Sequence, residues 1–196
     1  PGPYTEKLLD ILDRYNVKAT FFVTNGKPDY QNLIAQEAQR GHTVAIHSAS
    51  HDYAKIYQSV DAYFADFDEM NSIITAQTGK AADLVRFPGG SSNTISKKYC
   101  YGIMSQLVCA VEERGFRYCD WNVSSGDAGG TTSTSQVVAN VIAGIKGNNV
   151  SVVLQHDIKN FSVDAVEQII QWGLSEGYTF LPITSTTPMS HHGVNN

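Results

Sequence analysis

Short apolar, β-branched or aromatic runs alternate with helical stretches along the whole chain, and few architectures can bury such a pattern. Leu8, Ile11, Leu12 and Tyr15 repeat at helical spacing, and the run from Lys18 to Val23 (KATFFV) follows, ended by Asn25-Gly26. The order then recurs. A helix near Asp29 to Arg40 stops at Gly41, a strand starts at His42 (HTVAI), and a long helix from about Ser59 to Gln77 stops at Gly79. Next come a strand at Leu84 to Phe87, a helix from about Ser96 to Arg114, and a strand from Phe116 to Trp121. A helix at Ser135 to Lys146, a strand at Val150 to Gln155, a helix at Val163 to Glu176 and a strand at Tyr178 to Ile183 complete the series. Residues 184–196 are polar and aperiodic, so a loose tail is expected behind one domain of residues 1–183.

Six strands alternating with helices imply a parallel sheet covered by helices, either open and doubly wound or closed as a barrel. No G-x-G-x-x-G follows a strand and no G-x-x-x-x-G-K-[ST] is present, so nucleotide-binding folds lose their usual support and a barrel gains. The pattern opens on a helix, primed by Pro1-Gly2-Pro3, where an alternating fold normally opens on a strand, so a further strand is expected in front of it. A formal net charge of -5 with 14 Lys+Arg cannot supply the dense basic surface a nucleic acid needs. No apolar run nears the roughly 18 residues that span a bilayer, so no membrane insertion is expected. The three cysteines are too few for a disulfide framework. Cys100 and Cys109, placed on one helix more than two turns apart, cannot reach each other, which leaves at most one pair with Cys119.

In parallel α/β folds the reactive groups gather at the carboxyl ends of the strands. His47 ends the second predicted strand and His51 follows four residues on, a spacing that lets two imidazoles reach one zinc ion and that also suits local hydrogen bonding. Arg86, leading into Phe87-Pro88-Gly89-Gly90, fits either a structural ion pair or an arginine that orients a catalytic acid. His156 ends the run VSVVLQ and reads as a core histidine or as a general acid or base. Asp127, in SSGDAGG, has a turn-forming aspartate as its ordinary explanation. Tyr53, Tyr57, Tyr63, Phe64 and Phe67 are mostly core by helical spacing, with Tyr53 and Tyr57 placed to line a sugar site.

Taken in order, H-S-x-x-H, R-F-P-G-G, W-N-V-S-S-G-D and L-Q-H-D resemble the polysaccharide deacetylases of the NodB-homology type (carbohydrate esterase family 4), above all bacterial peptidoglycan N-acetylglucosamine deacetylases. The likeness runs from PGPYTEKLLDILDRYNVKATFFV to EGYTFLPI. It implies a distorted (β/α)7-type barrel and a metal-dependent hydrolase that removes N-acetyl, or sometimes O-acetyl, groups from peptidoglycan, chitin or xylan, outside the cell or at its surface. By the same resemblance His47 and His51 are metal ligands, for zinc or in some members cobalt or nickel. His156 is the general acid, Arg86 orients the catalytic base, Gly89 offers an N–H to the oxyanion and Leu154 lines the acetyl pocket. Asp127 and Trp121 are expected on the substrate side.

Two departures stand out. The family's strand ending in T-F-D-D-G, which carries the base and the third metal ligand, is not in front of Pro1, so the chain as given is expected to bind metal weakly and turn over little. Where many relatives are expected to carry an aspartate that tunes the acid histidine and a groove tryptophan, Ser124 and Ala128 stand here, leaving Asp127 or Asp157 to take the tuning role. The competing reading is a carbohydrate-binding pseudoenzyme that keeps the groove without catalysis.

Overall fold

The computed structural model describes residues 1–196. Helix α1 (Thr5–Arg14) buries Leu9, Ile11 and Leu12, then β1 (Thr20–Thr24) leads to α2 (Leu33–Gln39) and β2 (Thr43–Ser48). A short α3 (Tyr53–Ile56) precedes α4 (Val60–Thr78), β3 (Leu84–Val85), α5 (Ile103–Glu113) and β4 (Arg117–Tyr118). The last third holds β5 (Val123–Ser124), α6 (Thr134–Lys146), β6 (Val153–Leu154) and α7 (Asn160–Ser175). The helix starts are written locally. Ser59 accepts from the Ala62 N–H to cap α4, Ser133 does the same for α6 through Gln136, and Gly79 (φ 75°) ends α4 in a left-handed turn that an L side chain would strain.

All strand pairs are parallel. β1, β2, β3 and β4 form one sheet in chain order, and β5 pairs β6 in a second. The expected alternating α/β fold is therefore present, but the strands do not close a barrel. Residues 119–122 separate β4 from β5, and on the other side the Tyr178–Ile183 stretch, expected as a strand, forms no ladder. That stretch reaches β1 through a side chain: the Thr20 hydroxyl donates to the Ile183 carbonyl (3.0 Å) and accepts from the Ile183 N–H (2.7 Å). The core lies between the larger sheet and its helices, around Leu9, Ile46, Phe67, Met70, Val85, Phe87 and Met104. A second cluster, Val137, Val141 and Ile145 against Ala165 and Ile169, joins α6 to α7.

Two further expectations fail for identifiable reasons. The helix placed from Ser96 to Arg114 is broken: a 3-10 turn at Ile95–Lys98 precedes Gly102 (φ 77°), and only then does α5 begin. Cys100 thus lies off the helix that carries Cys109, and all three cysteines are free thiols. The tail, expected to be loose, is docked by polar contacts that apolar periodicity cannot reveal. The His191 ring stacks on Tyr118 (3.9 Å), the His192 N–H donates to the Asp120 carboxylate (2.9 Å), and the Asn196 side chain accepts from Gly102 N–H (2.8 Å) and donates to the Ser96 hydroxyl (2.7 Å).

Candidate active site

His47 is the penultimate residue of β2, where its Nδ1 meets the Arg86 carbonyl at 2.6 Å. A carbonyl only accepts, so Nδ1 carries the proton and the Nε2 lone pair stays free for a ligand. Burial, reinforced by neighbouring His51, depresses the His47 pKa to about 3, and the ring is neutral at pH 7. His51, also pushed down by burial, stands with its ring 5.1 Å from that of His47. Its backbone is left-handed (φ 54°), an uncommon state for a residue with a side chain, held by its N–H donating to the Ser48 hydroxyl at 2.8 Å.

The loop between the two histidines is clamped by Asp66 of α4, which sequence reading passed over. Its carboxylate accepts from Ser48 Oγ (2.5 Å), Ala49 N–H (2.8 Å), Ser50 N–H (2.8 Å) and Ser50 Oγ (2.5 Å). Burial alone would raise the Asp66 carboxyl, but these four donors outweigh it and hold the group below its ordinary value. Asp66→Ala leaves four donors without their acceptor, at an expected cost of about 2–4 kcal/mol in urea unfolding at pH 7. A change under about 0.5 kcal/mol would mean that water replaces the carboxylate and the clamp is dispensable.

Across the rim, His156 follows β6 and is held by Asp127. The Asp127 carboxylate accepts from the His156 N–H (2.7 Å), His156 Nδ1 (2.8 Å) and the Ser162 hydroxyl (2.6 Å), while Lys159 donates to its carbonyl. Burial would raise the Asp127 carboxyl, yet the His156 and Ser162 bonds bring it down to about 2. An ionised partner at Nδ1 fixes the proton there and turns Nε2 of His156 outward. The expectation that Asp127 contacts substrate is corrected: it is 1% exposed and both of its oxygens are engaged. Of the two candidates for tuning His156, Asp127 makes the contact; Asp157 instead takes a bond from the Thr5 hydroxyl. Ser124 and Ala128 are both exposed.

Within residues 1–196 Arg86 meets no carboxylate, so the structural ion pair is not formed; its partners are carbonyls. The buried guanidinium donates from Nε to the Cys119 carbonyl (2.8 Å) and from an Nη to the Asp120 carbonyl (3.0 Å), and lies 4.1 Å from the centre of the Phe22 ring. The following turn is shaped by what surrounds it. A Cβ on Gly90 (φ 79°) would come within 2.9 Å of the half-buried Trp121 ring, and the Tyr57 hydroxyl holds the Pro88 carbonyl at 2.7 Å. Gly89 (φ 79°) is exposed, and its N–H has no acceptor in the protein. Leu154 is half-buried two residues before His156, its carbonyl bonded to the Ser125 N–H at 3.2 Å.

His47, His51 and His156 thus face one rim, near enough that a proton on His156 opposes protonation of both others. No three His, Cys, Asp or Glu side chains of residues 1–196 group closely enough to hold a metal ion. A surface hollow of about 440 Å³ between α1 and α7, lined by Glu6, Lys7, Asp10, Arg14 and Glu167, includes none of these residues.

Known proteins share this arrangement of strand ends. A peptidoglycan-N-acetylglucosamine deacetylase of Bacillus cereus is 31% identical over 186 residues, covering 92% of this chain, which spans 64% of that protein's length. Among solved structures, the catalytic domain of peptidoglycan N-acetylglucosamine deacetylase from Eubacterium rectale is 70% identical, with a TM-score of 0.99 over 100% of this chain and 90% of that one. The polysaccharide deacetylase Bc1974 from Bacillus cereus is 30% identical, with a TM-score of 0.84 over 97% of this chain and 91% of that one. A sequence model of the polysaccharide deacetylase family matches residues 1–101, and together with these relatives it establishes that the chain belongs to that family.

Proposed function

We propose that the chain is a catalytic module that removes the N-acetyl group from N-acetylglucosamine units of peptidoglycan, at the cell surface or outside the cell. Residues 1–183 are its working unit, with 184–196 docked on it. The observation that carries the reading is the His156–Asp127–Ser162 network facing His47 and His51 across one open rim. Hydrolysis adds water across the amide C–N bond, releasing acetate and a free amine, and the nitrogen must gain a proton as that bond breaks. His156 supplies it from Nε2, because Asp127 holds the other ring nitrogen protonated and stabilises the charged ring between proton uptake and delivery. The unpaired Gly89 N–H points a donor at the oxygen that gains charge, and Leu154 packs on the acetyl methyl. Trp121 walls the groove beside Gly90.

Within this reading His47 and His51 are ligands of a divalent metal, zinc before cobalt or nickel, whose chemistry when bound is to polarise the acetyl carbonyl and acidify a water. Two neutral imidazoles with free Nε2 atoms suit such a role. A catalytic zinc ion takes three protein ligands, however, and residues 1–196 bring only these two together. The set present does not complete the site, and no step above passes through a metal.

The alternative is a carbohydrate-binding protein that keeps the groove without turnover. Acetate release from N-acetylglucosamine oligomers and from peptidoglycan, with and without added zinc, separates the two. Release that zinc stimulates in this chain and not in His47→Ala or His51→Ala supports the enzyme. Binding of the oligomers without acetate release at any zinc concentration would replace it with the alternative.

A further inference from the structure

Tyr53 opens α3 just after His51, and its hydroxyl has an unusual place. The ring stands edge-on to His51 (5.6 Å) and to Tyr57 (5.5 Å) and is half-buried between them. Its Oη lies 2.7 Å from the point that a Cβ on Gly89 would occupy. The phenol therefore fills the volume that residue 89 leaves vacant, and brings a second polar group up to the exposed Gly89 N–H. Neither group has a partner in the protein. The contrast with Tyr57 is informative. Tyr57 sits deeper and uses its hydroxyl on the Pro88 carbonyl at 2.7 Å, a structural bond. Tyr53 makes no such bond, so ring packing alone would be served equally well by phenylalanine. A phenol carries its proton at neutral pH and can donate a hydrogen bond.

We propose that the Tyr53 hydroxyl is a second hydrogen-bond donor to the acetyl oxygen of the substrate, acting beside the Gly89 N–H. The proposal rests on the deacetylase reading of the rim and adds to it a residue that contacts the reacting group. It explains why glycine stands at position 89: any side chain there would meet the tyrosine hydroxyl and displace the donor it replaces. A donor aimed at the oxygen where charge develops is worth more as that charge grows, and it also binds the ground-state amide.

The test is a nuclear magnetic resonance titration of the isotope-labelled chain with the tetramer of N-acetylglucosamine and, separately, with the fully deacetylated tetramer. In the wild type the Gly89 amide shifts on saturation with the acetylated tetramer. Tyr53→Phe is expected to weaken that binding about 5- to 10-fold, to leave the unfolding midpoint unchanged, and to bind the deacetylated tetramer as the wild type does. Equal affinity of Tyr53→Phe and wild type for the acetylated tetramer, with the Gly89 shift present in both, removes Tyr53 from the contact while the reading of Gly89 stands. Equal weakening toward both tetramers also overturns the proposal, since the hydroxyl would then meet the sugar away from the acetyl group. A Gly89 amide that stays still at saturation, or no binding at all, defeats the proposal together with the reading of Gly89 on which it rests.

Discussion

If the chain is the proposed deacetylase, Asp127→Ala is expected to lower acetate release at pH 7 by about 10²- to 10³-fold, and Asp127→Asn by nearly as much, with the substrate KM within about 3-fold of wild type. The alanine variant removes the acceptor of three donors at once: His156 N–H, His156 Nδ1 and Ser162 Oγ. Without it the imidazole loses both its tautomer and its direction. Asparagine restores one acceptor, but its amide group must point a donor at a donor, because each oxygen of the native carboxylate faces an N–H of His156. The two residues act as one device, so Asp127→Ala in a His156→Ala background should cost no further activity. Additive losses in that cycle would show Asp127 acting on catalysis by some route other than His156.

The same carboxylate leaves a mark on acid stability, measurable whether or not the chain turns over. Its pKa is near 2 in the folded chain and about 3.8 when free, so the folded state favours the ionised form. The resulting stability is present in full above about pH 4, is lost as pH falls toward 2, and amounts to roughly 2 kcal/mol. Asp127→Asn should show no such loss across that window.

Asp127 also shows where sequence reading stops. The alternation of helix and strand was legible because each element buries a face whose period is written in successive residues, and the rim followed because strand ends in such a fold converge. Partnerships across the rim are written nowhere. Asp127 and His156 lie 29 positions apart, and an aspartate between glycines reads as a turn residue until its neighbours in space are known. Asp66, within ADFDE, reads as one of several solvated charges on α4, yet it alone of that acidic group turns inward to take the His47–His51 loop. Strand β5 escaped notice because two residues in the polar run WNVSSG carry no period at all. The Tyr178–Ile183 stretch has the composition of a strand and spends it on a single threonine contact with β1.

Glu37→Gln is expected to stabilise the chain at pH 8 by up to about 4 kcal/mol while changing little at pH 5. Glu37 lies on the inner face of α2, one turn beyond Ile34, where helical patterning calls for an apolar residue. It is 0% exposed, and neither carboxylate oxygen has a hydrogen-bond partner. Burial raises its pKa to about 8 from 4.5, so the folded chain holds a proton that the unfolded chain has released. Stability from this group is whole below about pH 4.5 and is lost as pH rises toward 8, at about 1.4 kcal/mol per pH unit crossed. Two histidines work in the opposite direction. His42, lowered by burial to about 4, and His47, lowered to about 3, stay neutral in the fold while the unfolded chain takes up protons below about 6.5, so both oppose folding toward acid. Together the three groups set a stability maximum near pH 6.5, with a decline on the alkaline side due to Glu37 alone among them. Urea unfolding at pH 5, 6.5 and 8 tests this directly, since Glu37→Gln should abolish the alkaline decline and steepen the acid slope, which Glu37 partly offsets between pH 5 and 6.5. An alkaline slope that survives the substitution unchanged would show that Glu37 ionises freely in the folded chain.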